Sequence, residues 1–215
     1  MSRGLHPIIR SSLLLGSIAL MGTALLAGVN DLTHERIIEQ EKLRVLQQLN
    51  EIVPVTSFNN DLLEDVIEVD NEAFFQHPAP VTVYRARMDG QPVAVMMIVT
   101  APDGYNGDIR LLAGIDAHGA ILGVRVVSHK ETPGLGGPIE IEKSGWILGF
   151  TNKSLRNPDS TGWAVKRDGG QFDQLTGATI SPRAVVRAVH RVLLYFKANQ
   201  QTLFDTPAKT EVSDD

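Results

Sequence analysis

A short polar segment near the C-terminus carries the residues best suited to chemistry. It reads Asp173-Gln174-Leu175-Thr176-Gly177-Ala178-Thr179, so that two threonine hydroxyls flank a Gly-Ala pair. The small residues would let a bulky group approach the backbone closely. An anion attached to Thr179 would lie near the unpaired N–H groups and the positive dipole end of the helix that follows. The pattern favours a phosphate at Thr179, but Thr-Gly-Ala-Thr ahead of a helix is also typical of simple capping, so both interpretations stay open.

A second segment, HKETPGLGGPIE from His129 to Glu140, is rich in proline and glycine. Pro133-Gly134 favours a loop whatever that loop binds. His129 and Glu131 could lie on one side of a strand, but two ligands do not make a metal site, and we predict no metal. The glycines lack the following helix that a phosphate-binding loop requires, and no G-x-S-x-G nucleophile motif is present. We therefore assign no catalytic residue.

The composition excludes several classes of function. The chain has 215 residues, with 20 Lys and Arg against 25 Asp and Glu, a formal net charge of -5 and no cysteine. Disulfides, thiolate metal sites and cysteine-ligated iron–sulfur clusters are excluded. The acidic balance argues against nucleic acid as a partner. Redox chemistry would need an added cofactor, because the chain has no evident redox centre of its own.

The elements that must position these segments follow from hydrophobic periodicity. Pro182–Asn199 predicts an amphipathic helix with Ser181 as its N-cap and proline in the first helical position. Asp89-Gly90 predicts a hairpin between strands Thr82–Met88 and Pro92–Thr100. A second hairpin is predicted between Arg110–Ile115 and Ile121–Val127. The fold class is α+β, with one domain over residues 54–204 and a polar tail over 205–215.

The N-terminal part predicts a membrane anchor. Residues 11–29 contain no charge and would span about one hydrocarbon core as a helix. Arg3 and Arg10 precede them, which places residues 1–10 in the cytoplasm and the domain on the periplasmic side of a bacterial inner membrane. Residues 30–53 predict an amphipathic stalk helix that Pro54 ends. A cleaved signal peptide is the alternative, and we favour the retained single-pass anchor because the apolar run continues past the possible cleavage site.

Taken together, the two polar segments resemble the FMN-binding domain family. Asp173-x-x-Thr176-Gly177-Ala178-Thr179 is similar to the sequence at which flavin transferases attach FMN, from FAD, to a threonine hydroxyl. His129-x-Glu131-Thr132-Pro133-Gly134-Leu135-Gly136 resembles the second signature of that family. The order of anchor, stalk, β-rich body and both motifs resembles the G subunits of Rnf-type (Rsx) ion-translocating oxidoreductase complexes over almost the whole chain.

The resemblance implies a role for each matching residue. Thr179 would carry FMN through a covalent phosphoester, and Asp173 would be recognised by the flavin transferase. The other implied cofactor-binding residues are Thr176, Gly177, Ala178, Glu131, Thr132 and Leu135. Thr176 stands where the family more often has serine, which is a mild departure. Trp146 would either stack on the flavin ring or belong to the core, and we favour the core.

The resemblance also implies a function. The chain would be a membrane-anchored flavoprotein subunit that relays electrons in an Rnf-type complex, which couples NADH/ferredoxin redox chemistry to ion translocation, and it would have no turnover of its own. Its partners would be the other membrane subunits, the lipid bilayer and, during maturation, the flavin transferase. The alternatives are the FMN subunit of a sodium-pumping NADH:quinone reductase and a non-redox, membrane-anchored binding domain.

Overall fold

A computed structural model describes the backbone of residues 5–208 and, within that range, the side chains of residues 9–25, 40, 43 and 45–208. The chain divides into two compact units, residues 1–45 and 46–215. Helix α1 (Leu5–Ile52) is continuous and ends just before Pro54. The helix ends here because proline disfavours helical geometry in the residue before it, as predicted from Pro54.

The apolar side chains of α1 between Ile9 and Leu25 are exposed. In the described part of the chain, no helix is both long enough and apolar enough to cross a bilayer. Residues 26–29 of the predicted span and 30–39, 41, 42 and 44 of the predicted stalk lie outside the described side chains. Residues 1–4 of the predicted cytoplasmic segment and 209–215 of the predicted tail also lie outside the described residues. The anchor, its orientation and the domain limits therefore stay predictions.

Five antiparallel strands form one sheet in the order β1-β2-β3-β4-β5. They are β1 (Val66–Val69), β2 (Val81–Met88), β3 (Gln91–Gly104), β4 (Gly107–Asp116) and β5 (Ile121–Ser128), and a short helix, α2 (Glu72–Phe75), connects β1 to β2. Asp89 and Gly90, between β2 and β3, have φ angles of 49° and 77°, the left-handed geometry of a two-residue hairpin turn. Both predicted hairpins are confirmed. Strand β1 and the β3–β4 hairpin, which turns at Tyr105-Asn106, are additions to the predicted strands.

Helix α3 (Ile180–Asp205) packs on one face of this sheet. Its apolar positions, among them Val185, Val189 and Val192, are buried in the same core as the inward-facing residues of β2 to β5. The antiparallel sheet and this helix confirm the predicted α+β domain. The helix is longer than the predicted Pro182–Asn199 at both ends, and the predicted N-cap, Ser181, is wrong. Thr179 occupies the N-cap position, and Ser181 lies within the first turn, where its hydroxyl donates to Glu131.

The other face of the sheet is covered by the last turn of α1. Leu49 and Ile52 of that turn are buried, as is Val53 directly after it. Two glycines paired across β4 and β5, Gly114 and Gly123, lie beneath Ile52. A Cβ at Gly114 would collide with the Ile52 side chain, so the absence of side chains lets the helix end sit directly on the strands.

The C-terminal end of α3 is held by arginines from β2. Arg85, only 2% exposed, donates to the carbonyl oxygens of Leu203 and Thr206 and pairs with Asp65. Arg87 pairs with the second oxygen of Asp65 at 2.7 Å. These bonds satisfy carbonyls that have no partner inside the helix.

The segment between β5 and α3 consists of loops and short 3-10 turns at Gly137–Ile139, Gly145–Phe150, Ser160–Gly162 and Lys166–Asp168. Aromatic packing holds this segment on the core. The rings of Phe150 and Phe172 stack with centroids 4.7 Å apart. His190 of α3 stacks on Trp163 at 5.2 Å, and burial lowers the pKa of that histidine.

Candidate functional site

The two motif segments form the walls of one cavity of about 180 Å³. Its lining consists of Tyr105, Glu131, Thr132, Leu135, Gly136, Gly177, Ala178, Thr179, Ile180 and Ser181. Six of the residues proposed from sequence to bind the cofactor thus line a single space. Thr176 and Asp173 are exposed and are not among the lining residues. The fold therefore brings together two segments that are far apart in sequence.

Glu131 is the junction of the cavity walls. Its side chain is 4% exposed. One carboxylate oxygen accepts the backbone N–H of Asn106, in the β3–β4 turn, at 3.1 Å. The other accepts the hydroxyl of Ser181, in the first turn of α3. Three separate segments meet at this carboxylate, and hydrogen bonds to a charged group are among the stronger ones in proteins.

The loop after Glu131 is folded by its own backbone. The carbonyl oxygen of Thr132 accepts the N–H groups of Leu135 at 3.1 Å and Gly137 at 3.0 Å. Gly134 has φ +76°, which glycine adopts without steric cost. This turn exposes Leu135, whose side chain is 48% accessible, at the rim of the cavity.

His129 shapes the start of the same loop. Its Nδ1 accepts the backbone N–H of Glu131 at 2.8 Å, and its Nε2 lies 2.6 Å from Glu140. A hydrogen bond from Lys143 holds the pKa of the Glu140 carboxyl below its usual range, and the hydrogen bond with His129 contributes less. Slight burial of the carboxyl acts in the opposite direction. Both ring nitrogens of His129 are thus occupied in positioning the loop.

The attachment segment ends in a tight turn ahead of α3. The N–H of Ala178 donates to the carbonyl of Leu175 at 3.0 Å. Gly177 has φ +76°, and a Cβ there would lie 3.3 Å from the side chain of Leu135. Thr179 follows as the N-cap residue, but its side chain makes no capping hydrogen bond. Thr179 lines the cavity, and its hydroxyl accepts a hydrogen bond from the guanidinium of Arg167 at 3.5 Å.

Asp173 and Trp146, neither of which lines the cavity, contact each other. The indole N–H of Trp146 donates to the carbonyl oxygen of Asp173 at 2.6 Å, and its ring meets Phe150 edge to face. Trp146 is half-buried against the core and is not among the lining residues, as favoured from sequence. The carboxylate of Asp173 is exposed and pairs with Lys166 at 2.5 Å.

Several residues at the site are not predicted from the sequence. Tyr105, 66% exposed, lines the cavity from the β3–β4 turn, and Asn106 donates to the hydroxyl of Thr132 at 3.1 Å. The dipeptide Asn106-Gly107 is a strong turn signal that could have located this hairpin. Arg167 has no comparable local signal, because its contact with Thr179 depends on the tertiary fold.

Two family models match the chain: the FMN-binding domain over residues 104–194 and the RnfG N-terminal region over residues 1–52. Proteins named as the G subunit of the ion-translocating oxidoreductase complex are similar over nearly the full length. The one from Shewanella loihica is 49% identical over 205 residues, which cover 95% of this chain and 97% of the relative. That from Pseudomonas aeruginosa is 49% identical over 196 residues, covering 91% and 92%. That from Pseudoalteromonas atlantica is 43% identical over 197 residues, covering 92% of both.

Proposed function

Because the chain belongs to the family of G subunits of ion-translocating oxidoreductase complexes, we propose that it is the FMN-bearing flavoprotein subunit of such a complex. The observation that carries the proposal is the cavity lined by residues of both motif segments, Thr179 among them. The match to the FMN-binding domain covers both segments. The other subunits of the complex are the partners that this role requires.

The chemistry of the lining residues suits a flavin nucleotide that the cavity of about 180 Å³ encloses only in part. The absence of a side chain at Gly136 lets the loop pack directly on the Glu131–Ser181 contact, since a Cβ there would lie 2.6 Å from both. Leu135 and Tyr105 offer apolar surface for a planar ring at the rim, where both are well exposed. Polar side chains that could orient the ring, those of Glu131, Thr132 and Ser181, also line the cavity. Exposure at the rim would leave one ring edge accessible to the next carrier.

We further propose that FMN is attached covalently to Thr179. A flavin transferase would catalyse attack of the Thr179 oxygen on the FMN phosphorus of FAD. The Oγ–P bond forms, the phosphoanhydride bond breaks, AMP leaves, and the hydroxyl proton is released. The hydroxyl is available for this step because it does not cap α3. When bound, FMN supplies reversible one- and two-electron transfer.

The tether and the anchor together define a relay. A covalent bond would keep the cofactor from diffusing away outside the cytoplasm, because a tethered flavin has a high effective concentration at its site. Residues 11–29 would anchor the chain in the inner membrane, with the N-terminus cytoplasmic and the FMN domain periplasmic. Arg3 and Arg10 support that orientation. The chain would pass electrons between other subunits and would have no turnover of its own.

Threonine substitution tests the attachment. The full chain, produced with its transferase and exported, is compared as wild type and as Thr179→Ala by intact mass and in-gel flavin fluorescence. We expect the variant to lose both the FMN mass increment and the fluorescent band. Thr151→Ala, an exposed threonine away from the cavity, is the control. If Thr179→Ala still carries covalent flavin, the attachment site is wrong.

The alternatives predict different outcomes. The relatives are named as G subunits of ion-translocating oxidoreductase complexes, which favours this role over that of the FMN subunit of a sodium-pumping quinone reductase. Co-purification with ferredoxin-linked partners, rather than with quinone-reductase subunits, would support it. A colourless wild-type protein after export with the transferase would instead favour a non-redox binding domain.

A further inference from the structure

The short turn Lys166–Asp168 lies against the attachment segment and is held firmly in place. Its flanking residue Val165 is buried and pairs with Phe172 in an isolated bridge. The N–H of Lys166 donates to the carbonyl of Phe172 at 2.7 Å. A Cβ at Gly170 would collide with the Ala164 backbone, so this crossing of the chain is tight. The turn is therefore a fixed platform for its three exposed side chains.

Each residue of this turn contacts a different part of the attachment region. Lys166 pairs with Asp173 at 2.5 Å. The backbone N–H of Arg167 donates to the side chain of Gln174 at 3.3 Å, and its guanidinium donates to Thr179 at 3.5 Å. The contacts of the turn thus follow the segment from its first residue to its last.

Asp168 completes the set by binding the start of α3. Arg183 donates to both of its carboxylate oxygens, at 2.6 and 2.8 Å. Hydrogen bonding from Arg183 lowers the pKa of the Asp168 carboxyl, so the aspartate stays charged and offsets that arginine at neutral pH.

The cations near Thr179 are therefore not equivalent. Lys166 and Arg183 each have a carboxylate partner. Among the described residues, Arg167 forms no ion pair, and its side-chain contact is with the Thr179 hydroxyl. A phosphodiester on that oxygen would carry one negative charge over two non-bridging oxygens. A guanidinium presents paired donors that match this geometry, whereas an ammonium is a point charge.

We propose that Arg167 is a positioning residue that binds the phosphate of the flavin nucleotide esterified to Thr179. The inference rests on the proposed function, since it needs a phosphate at that position. Thr179 is the N-cap residue of α3, so a phosphate on it would also lie near the positive dipole end of that helix. Arg167 thereby fixes the phosphate end of the tether, and the direction of the tether sets where the ring enters the cavity.

The test uses the full chain matured with its transferase. Arg167→Gln removes the positive charge, and Arg167→Lys keeps the charge without the paired donors of the guanidinium. Arg156→Gln, the control, removes an exposed arginine from another surface. The ³¹P resonance of the attached phosphodiester is recorded for each loaded protein. We expect a changed chemical shift in Arg167→Gln, partial return in Arg167→Lys, and the wild-type shift in Arg156→Gln.

Loading kinetics give a second measurement. At limiting FAD, intact mass is followed over time, and we expect Arg167→Gln to load about two- to fivefold more slowly, the range for an exposed ionic contact. Wild-type shift and rate in Arg167→Gln would overturn the role of Arg167 while leaving the covalent flavin in place. A wild-type protein without flavin on residue 179 would overturn the proposed function itself, so the two failures are distinguishable.

Discussion

A methyl group at Gly136 tests whether the Glu131 junction holds the cavity together. Gly136 has φ -81° and ψ -23°, which alanine adopts without backbone strain. Its added Cβ would lie 2.6 Å from both the Glu131 oxygen and the Ser181 hydroxyl. Gly136→Ala must therefore separate these two groups or displace the loop, and its effect comes from packing rather than from backbone conformation.

The expected cost follows from this geometry. Forcing extra volume into a well-packed site costs about 1–3 kcal/mol, and a hydrogen bond to a charged group contributes about 1.5–3 kcal/mol. The two costs describe the same displacement, so we take about 2 kcal/mol rather than their sum. For a domain of this size, that corresponds to a decrease in Tm of about 4–8 °C.

Gly149→Ala is the matched control, because a Cβ there meets nothing within 4 Å. Both variants lose the same freedom in the unfolded chain, so the difference between them isolates the native-state clash. The assay is thermal unfolding of the full chain in detergent, followed by near-UV circular dichroism. If Gly136→Ala melts together with Gly149→Ala, the Glu131–Ser181 contact does not stabilise the site as described.

Two further perturbations probe the rest of the domain. Asp65→Asn leaves the buried Arg85 without its counter-charge, so we expect a loss of about 3–5 kcal/mol in urea unfolding; Glu51→Gln, which removes an exposed carboxylate, should cost under about 1 kcal/mol, and equal costs would contradict the role of the buried pair. Burial lowers the pKa of His190 in the fold below its ordinary 6.5, so stability is full above pH 6.5 and falls as the pH drops through the folded-state pKa. His190→Phe, which keeps a ring on Trp163, should lose less Tm between pH 7.5 and 5.5 than the wild type, and an unchanged pH dependence would refute this assignment.

Local patterns in the sequence predict much of the fold. Asp89-Gly90 identifies the first hairpin because only a few residue types accept positive φ at both turn positions. The spacing of apolar residues identifies α3 because tertiary packing buries that stripe. The β3–β4 hairpin is not predicted, although Asn106-Gly107 carries a turn signal of the same kind. Turn dipeptides and apolar spacing thus predict the hairpins and the helix, provided that every such signal is considered.

Site residues can be predicted only where a short linear motif identifies them. Thr179 can be proposed from its motif, and the fold places it on the cavity wall. Ser181 is misassigned as a cap because Glu131, fifty residues away, takes its hydroxyl. Arg167 is missed for the same reason, since its approach to Thr179 depends on the crossing at Val165 and Phe172. Long-range contacts override local preference at both positions.

The junction at Glu131 has a consequence for the order of maturation. Its partners lie 25 and 50 residues away along the chain, so this carboxylate can be satisfied only after the sheet, the loop and α3 have assembled. The linear threonine motif is therefore present in the chain before the pocket has formed. If FMN is attached to Thr179 as proposed, and attachment requires the assembled pocket, then only chains that have completed folding would receive the cofactor.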